Sequence, residues 1–244
     1  MQNEFSGPYD IIVQAGQSNS EGCGLGEAAE PYAPDERILY LTSHLVLAPA
    51  AERERDGQNV SDFSLFFARE YVRAGRLAPG RRMLILRTAV GGTGFLDKRW
   101  GKQDDLFLNM LSMIRHAKGL HPESRFVAFL WHQGETDATL KATCEGHRQN
   151  LAGLLDAVRT ETEAPCLPFV AGDFVQEWKG QNLAVCEPVI AAIRQVCQDK
   201  NGRFVETGDL FSNNQQIKNG DTIHFSTASL ETLGKRCYEA IFGK

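Results

Sequence analysis

The stretch YDIIVQA at residues 9–15, followed directly by GQSN at residues 16–19, decides the fold of this chain. The first part is short, mostly apolar and rich in β-branched residues, which is typical of a strand buried on both faces. The second part is small and polar, so we expect the strand to end there. In open sheets of parallel strands, ligands bind just beyond the carboxyl ends of the strands. Polar residues that follow other strands of this kind are therefore expected to meet Ser18 at one edge of a sheet.

Other short apolar runs have the same character and are predicted strands. They are Met83–Thr88, Arg125–Trp131, Cys166–Ala171 and Arg203–Glu206. The long segment Cys23–Ser61 is otherwise irregular and contains one further candidate strand, Ile38–Leu41.

Longer stretches between the strands carry apolar residues at helical spacing. They are Asp62–Leu77, Asp104–Gly119, Ala138–Glu161, Ala184–Lys200 and Ser226–Phe242. Asp62 is a predicted N-cap of the first of these helices. Strands that alternate with helices predict an α/β fold with a central parallel sheet of about five strands. Because no internal repeat or linker interrupts the pattern, we expect residues 1–244 to form one domain.

The composition of the 244 residues is that of a globular protein, with 42% hydrophobic and 23% charged residues. A net charge of −5 without clustered Lys and Arg argues against nucleic acid as a partner. No apolar run approaches the ~20 residues that span a bilayer, and the polar start Met1–Asp10 lacks the pattern of a signal peptide. The sequence thus predicts a cytoplasmic protein without membrane association and leaves its oligomeric state open.

The six cysteines form no C-x-x-C pair, which disfavours a zinc site or a thioredoxin-like centre. Most of them lie in apolar or helical contexts, where a free thiol packs as a small hydrophobic group. We expect reduced thiols, with a disulfide between two of them as the alternative.

Four polar segments follow predicted strands or precede the last helix. They are Gly16-Gln17-Ser18-Asn19, Gly91-Gly92-Thr93-Gly94, His132-Gln133-Gly134-Glu135-Thr136-Asp137 and Asp221-Thr222-Ile223-His224. Ser18 is either a helix N-cap or an exposed nucleophile at the sheet edge. His224 has Asp221 three residues before it, a spacing that lets the carboxylate reach Nδ1 and leaves Nε2 free to take a serine proton. The alternative is a surface turn before a capped helix.

The other two segments offer candidate hydrogen-bond donors to an oxyanion. The N–H of Gly92 is one such donor, although the glycines also suit a simple tight turn. The side-chain amide of Gln133 is another. Glu135 and Asp137 either bind backbone N–H groups of the glycine loop or support His224, and His132 is a candidate substrate contact.

In this order, the four segments resemble the conserved blocks of the SGNH hydrolase superfamily. They are most similar to its sialate O-acetylesterase and acetylxylan esterase branch, carbohydrate esterase family six. The resemblance covers nearly the whole chain. Its Gln-Ser-Asn and Trp-x-Gln-Gly-Glu-x-Asp blocks are rather specific, whereas Asp-x-x-His is informative only in this order. It implies a flavodoxin-like three-layer α/β/α fold that uses no metal and no organic cofactor.

The resemblance also implies a reaction and a set of residues. The reaction is hydrolysis of acetyl esters, on a small molecule or a carbohydrate, through an acetyl-enzyme. The implied nucleophile is Ser18 and the implied base is His224, oriented by Asp221, with Glu135 as a second candidate acid. The implied oxyanion donors are the N–H groups of Ser18 and Gly92 and the side chain of Gln133. The substrate is expected to contact Gln17, Asn19 and His132.

The sequence departs from the family pattern at two places, Ser20 and Gly94-Phe95, which leaves the substrate open. Rival functions are an inactive carbohydrate-binding protein on the same scaffold and a carboxylesterase for longer acyl chains. Nucleotide binding is disfavoured, because Gly22-Cys23-Gly24-Leu25-Gly26 lacks the G-x-G-x-x-G spacing and no P-loop lysine is present. The Cys23–Ser61 segment and the region of Trp178 are expected to shape the alcohol side of the site.

Overall fold

The computed structural model describes residues 7–243. Its strands are β1 (Tyr9–Gly16), β2 (Ile38–Leu41), β3 (Leu47–Pro49), β4 (Arg53–Arg55), β5 (Gln58–Val60), β6 (Arg82–Arg87), β7 (Arg125–His132), β8 (Phe169–Gly172) and β9 (Arg203–Val205). A seven-stranded sheet has the order β3-β2-β6-β1-β7-β8-β9, and β4 and β5 form a separate hairpin. All neighbours in the large sheet are parallel except β2 and β3.

The helices cover both faces of the sheet. They are α1 (Ser18–Glu21), α2 (Phe63–Arg73), α3 (Asp105–Leu120), α4 (Glu135–Thr139), α5 (Cys144–Glu161), α6 (Gln176–Gln181), α7 (Leu183–Asp199), α8 (Asn213–Ile217) and α9 (Thr227–Phe242). Successive residues of β1 serve the two faces in turn. Ile11 and Val13 lie in one apolar cluster with α3, α5 and α7, and Ile12 lies in the other with α2 and α9. The predicted three-layer α/β/α architecture is therefore confirmed.

The sheet is larger than the predicted five strands. The candidate strand Ile38–Leu41 pairs in parallel with β6, and Leu47–Pro49 adds an antiparallel edge. The edge strand escaped prediction although residues 45–51 are apolar, because it has only three residues, none of them buried, and Pro49 is one of them. The predicted strand at Cys166 begins only at Phe169, since Pro168 has no N–H for the ladder.

The helix starts illustrate what local sequence determines. The Asp62 carboxylate accepts the N–H groups of Ser64 (2.9 Å) and Leu65 (3.1 Å), which confirms its role as the N-cap of α2. The predicted helix Ala138–Glu161 is instead two helices, α4 and α5. Thr143 separates them, because its side chain accepts the Gly146 N–H and caps α5.

Two further observations concern the chain as a whole. All six cysteines carry free thiols. Across residues 7–243, every helix is too short or too polar to cross a bilayer.

Candidate active site

The candidate site lies beyond the carboxyl ends of β1 and β7. Gly16 ends β1 at φ +124°, and a Cβ there would lie 2.1 Å from the His132 carbonyl oxygen. Only glycine fits this close approach. The Gln17 N–H then donates to the same carbonyl oxygen at 2.9 Å, so the chain turns sharply and Ser18 opens the short helix α1 at the sheet edge.

Ser18, His224 and Asp221 form a hydrogen-bonded chain. Ser18 Oγ lies 2.9 Å from His224 Nε2, and His224 Nδ1 lies 2.9 Å from Asp221 Oδ2. Asn213 Nδ2 also donates to Asp221 Oδ2, at 2.9 Å. Burial alone would raise the pKa of the Asp221 carboxyl, but the bonds from His224 and Asn213 outweigh it and lower this pKa. In a contact of this kind, a charged carboxylate favours the imidazole tautomer that carries its proton on Nδ1.

Asn19 ties the serine to the histidine loop. Its Nδ2 donates to the Ile223 carbonyl oxygen at 3.0 Å, and its Oδ1 accepts the Phe225 N–H at 3.0 Å. Phe225 is fully buried against the His132 ring, which anchors the residue after His224 in the core. Asn19 is buried, lies outside the cleft lining and bridges the two segments, and its contact with substrate stays a prediction.

A cleft of about 810 Å³ opens in front of Ser18. One wall is the glycine loop at Gly91 and Gly92, and another is the hairpin β4–β5 through Arg53 and Arg55. Polar and acidic lining residues are Gln17, Glu21, Asp97, Glu135, Thr136 and Thr139. Leu140, Val90 and Ile223 supply apolar surface.

Two backbone donors at the cleft are unused. Gly92 takes φ +69°, and its N–H and that of Ser18 meet no acceptor among residues 7–243. The neighbouring Gly91 N–H donates to Glu21 Oε2 at 2.7 Å. Two free N–H groups beside a serine are the arrangement that an oxyanion hole needs.

The other predicted contacts lie deeper than expected. Gln133 and His132 are buried and do not line the cleft, and Gln133 Nε2 donates to Asp137 Oδ2 at 2.9 Å. His132 Nε2 lies 3.0 Å from the Asp173 carbonyl oxygen. Glu135 lines the cleft, but its Oε1 accepts from Asn19 Nδ2 at 2.8 Å and lies 3.6 Å from His132 Nδ1, not against His224.

Sequence reasoning missed Asn213, and it expected the Cys23–Ser61 segment at the site without singling out Arg53 and Arg55. Asn213 opens a helix capped by Ser212, and that Ser-Asn start was the one local signal for an ordered turn there. Arg53 and Arg55 lie in a short hairpin without an apolar pattern, so nothing local distinguished these two residues within that segment. No cluster of three or more His, Cys, Asp or Glu side chains in the described part of the chain is suited to a metal ion.

A parallel α/β sheet that carries these four segments at one edge defines an SGNH-type hydrolase. Residues 8–243 match the profile of the family described as carbohydrate esterase, sialic acid-specific acetylesterase, and the chain belongs to this family. It is therefore an enzyme of the carboxylic ester hydrolase class.

Solved structures show the same fold at low sequence identity. NanS is 19% identical with a TM-score of 0.76, and the match covers 96% of each chain. A protein from Arabidopsis thaliana is 20% identical with a TM-score of 0.73, covering 97% of this chain and 99% of that one. A carbohydrate acetylesterase from Xanthomonas citri is 18% identical with a TM-score of 0.66, covering 96% of this chain and 57% of that one. No curated protein sequence gives a significant match.

Proposed function

We propose that this protein is a serine esterase that removes O-acetyl groups from a carbohydrate through an acetyl-enzyme on Ser18. The observation that carries the proposal is the chain of contacts from Ser18 Oγ to His224 Nε2 and from His224 Nδ1 to Asp221 Oδ2, each 2.9 Å long. Both contacts have the length of good hydrogen bonds, and the serine faces an open cleft.

In the proposed mechanism, Ser18 Oγ attacks the acetyl carbonyl carbon while its proton passes to His224 Nε2. The negative charge that develops on the carbonyl oxygen is bound by the free N–H groups of Ser18 and Gly92. The sugar oxygen then leaves with the proton from His224, and the acetyl group stays on Ser18. Water repeats the sequence, giving up a proton to His224, and releases acetate as Ser18 regains its proton.

Asp221 is the proposed acid of the triad. It alone of the two candidates contacts the imidazole, and its lowered pKa keeps it charged at neutral pH, when it stabilises the imidazolium formed during attack. Glu135, bonded to Asn19, is proposed to hold the loop that carries the histidine.

A carbohydrate alcohol is favoured by family membership and by the polar wall of the cleft. Arg53, Arg55, Glu21 and Asp97 offer donors and acceptors suited to sugar hydroxyl groups. A carboxylesterase for longer acyl chains would need an extended apolar slot beside Ser18, and the large aliphatic side chains in the lining are Val90, Leu140 and Ile223. A binding protein without activity would have no use for an aligned serine and histidine.

The first test compares hydrolysis of p-nitrophenyl acetate by the wild type and by Ser18→Ala. We expect kcat to fall at least ~10³-fold, because loss of the nucleophile leaves only the oxyanion donors and binding. Ser20→Ala is the matched control. It removes a hydroxyl from the same helix, and the Ser20 Oγ is fully buried without a partner, so kcat is expected to stay near the wild-type value.

Equal rates of p-nitrophenyl acetate hydrolysis for the wild type and Ser18→Ala would contradict the proposed serine esterase activity. Sugar binding would then be the function to test. Two substrate series then examine the specificity. Nitrophenyl esters of increasing acyl length should show a preference for acetate, and release of acetate from O-acetylated sugars should exceed release from a simple alkyl acetate. A maximum at longer acyl chains would favour the carboxylesterase.

A further inference from the structure

The side-chain amide of Gln17 presents unused donors to the cleft. Its Oε1 accepts the backbone N–H groups of Thr136 at 3.1 Å and Gly134 at 3.3 Å. Because a backbone N–H bonds only to an acceptor, these two bonds fix which end of the amide faces inward. The NH₂ end therefore points away from them. Its Nε2 meets no acceptor among residues 7–243, and although Gln17 is only 2% exposed, it lines the cleft beside Ser18.

Gln133 has the opposite arrangement. Its Nε2 donates to the Asp137 carboxylate at 2.9 Å, and the remaining acceptors around that nitrogen are the Thr93 carbonyl oxygen at 3.3 Å and Gln17 Oε1 at 3.4 Å. Asp137 has a lowered pKa despite its burial, so it is a charged acceptor that holds this NH₂ group strongly. Gln133 is thus farther from the cleft than Gln17, and its NH₂ group donates to acceptors in the protein interior.

We propose that Gln17, rather than Gln133, is the side-chain donor of the oxyanion hole, acting with the N–H groups of Ser18 and Gly92. This inference rests on the proposed serine esterase function. Gln17 Nε2 is held in place before any substrate arrives, because its own oxygen is bound by two backbone N–H groups and approached by a third donor from Gln133. A donor fixed in this way stabilises developing charge without reorganising during the reaction. Gln133 and Asp137 are then positioning residues.

Gln17→Glu is the sharpest test. The glutamate keeps an acceptor for the Gly134 and Thr136 N–H groups, but it replaces the donor with a carboxylate oxygen. We expect kcat for p-nitrophenyl acetate to fall at least ~10²-fold, the scale of one lost oxyanion donor, whereas KM for this neutral ester changes little. Gln198→Glu makes the same charge change at an exposed residue of α7, outside the cleft lining, and should leave kcat and KM near wild type.

Gln17→Met and Gln133→Met complete the experiment, with thermal unfolding measured on every variant. Gln17→Met removes the donor without adding charge, so it tests the proposal even if the glutamate variant does not fold. Gln133→Met leaves the Gln17 donor in place and should lose less kcat than either Gln17 variant. Folded Gln17 variants within about tenfold of wild type, or a larger loss in Gln133→Met, would overturn this inference alone. A wild type no faster than Ser18→Ala would overturn the proposed function and this inference with it.

Discussion

Among the described residues, one carboxylate contacts the imidazole of His224, and it belongs to Asp221. Its Oδ2 lies 2.9 Å from Nδ1, and its Oδ1 accepts the His224 backbone N–H at 3.2 Å. Asn213 Nδ2 donates to the same Oδ2 atom. The nearest ring to Glu135 is that of His132, which is itself buried. At the scale of single residues, the two candidate acids thus have different neighbours and different expected effects.

Asp221→Asn should lower kcat/KM by about 10³–10⁴-fold, because an amide no longer enforces the tautomer or stabilises the imidazolium. Glu135→Gln should cost far less, since its oxygen can still accept from Asn19 Nδ2. Both variants are isosteric, which makes each the control for the other. Initial rates at saturating and limiting acetyl ester would measure kcat and kcat/KM for both variants. A larger loss of kcat/KM in Glu135→Gln would make Glu135, and not Asp221, the acid of the triad.

The sequence predicted which residues would meet at the sheet edge better than it predicted where their side chains point. Ser18, Gly92 and His224 come together because each follows a strand or precedes the last helix. Asn19 and His132 occupy equally suitable positions along the chain, yet both turn into the interior. Side-chain direction after a strand depends on the local turn and on partners far away in sequence, such as the Ile223 carbonyl oxygen for Asn19.

At the scale of elements, the glycine loop is held by α4 through Asp137. This buried carboxylate accepts the N–H groups of Phe95 at 3.0 Å and Leu96 at 2.8 Å. His147 Nδ1 lies 3.3 Å away, at ion-pair distance without hydrogen-bond alignment. Burial would raise the pKa of Asp137, but His147 and the two N–H groups lower it. The position of Gly92 therefore depends on a carboxylate in another element.

Gly94→Ala tests this dependence. A Cβ at Gly94 would lie 2.7 Å from Asp137 Oδ1, so the loop or the carboxylate has to shift. We expect a loss of about 1–3 kcal/mol in the free energy of unfolding together with a lower kcat, because Gly92 moves with the loop. Gly119→Ala, near the end of α3 where a Cβ meets nothing within 4 Å, should leave kcat unchanged. A Gly94→Ala enzyme with wild-type kcat and stability would show that the loop is not held in this way.

The strands that could not be predicted are short and weakly buried. The strand β3 and the hairpin β4–β5 have mostly half-exposed or exposed residues, and their pairing depends on neighbours rather than on their own pattern. The five long helices and the five buried strands were all recognised, because burial imposes an apolar period on them. The hairpin still belongs to the candidate site, since Arg53 and Arg55 line the cleft from it.

At the scale of the whole molecule, β1 carries polar groups at both ends with different roles. Ser18 follows its carboxyl end. Near its amino end, the fully buried Asp10 accepts from Arg81 Nε and Arg125 Nε, each at 2.7 Å, and from the Tyr71 hydroxyl at 2.8 Å. These bonds join β1 to α2, to the start of β6 and to β7. They lie at the opposite end of β1 from the cleft, so their loss should affect stability and not chemistry.

Asp10→Asn should lower the free energy of unfolding by about 3–5 kcal/mol, the usual cost of breaking a buried ion pair, because Arg81 is left without its charge partner. Burial would raise the pKa of Asp10, but Arg125, Tyr71 and Arg81 together lower it below the ordinary 3.8. The folded state therefore holds its proton less tightly than the unfolded state. This stabilisation is complete above about pH 4 and is lost as the pH falls through the lowered pKa.

Urea unfolding of the wild type and Asp10→Asn between pH 7 and pH 3 would measure both effects, with kcat at pH 7 as the control. The difference in stability between the two proteins should shrink as the pH falls below 4, while kcat at pH 7 stays at the wild-type value. A constant difference across the range would mean that Asp10 acts through packing rather than charge. A lower kcat for Asp10→Asn at pH 7 would mean that the Asp10 end of β1 is coupled to the Ser18 end. The contacts among the described residues do not require such a coupling.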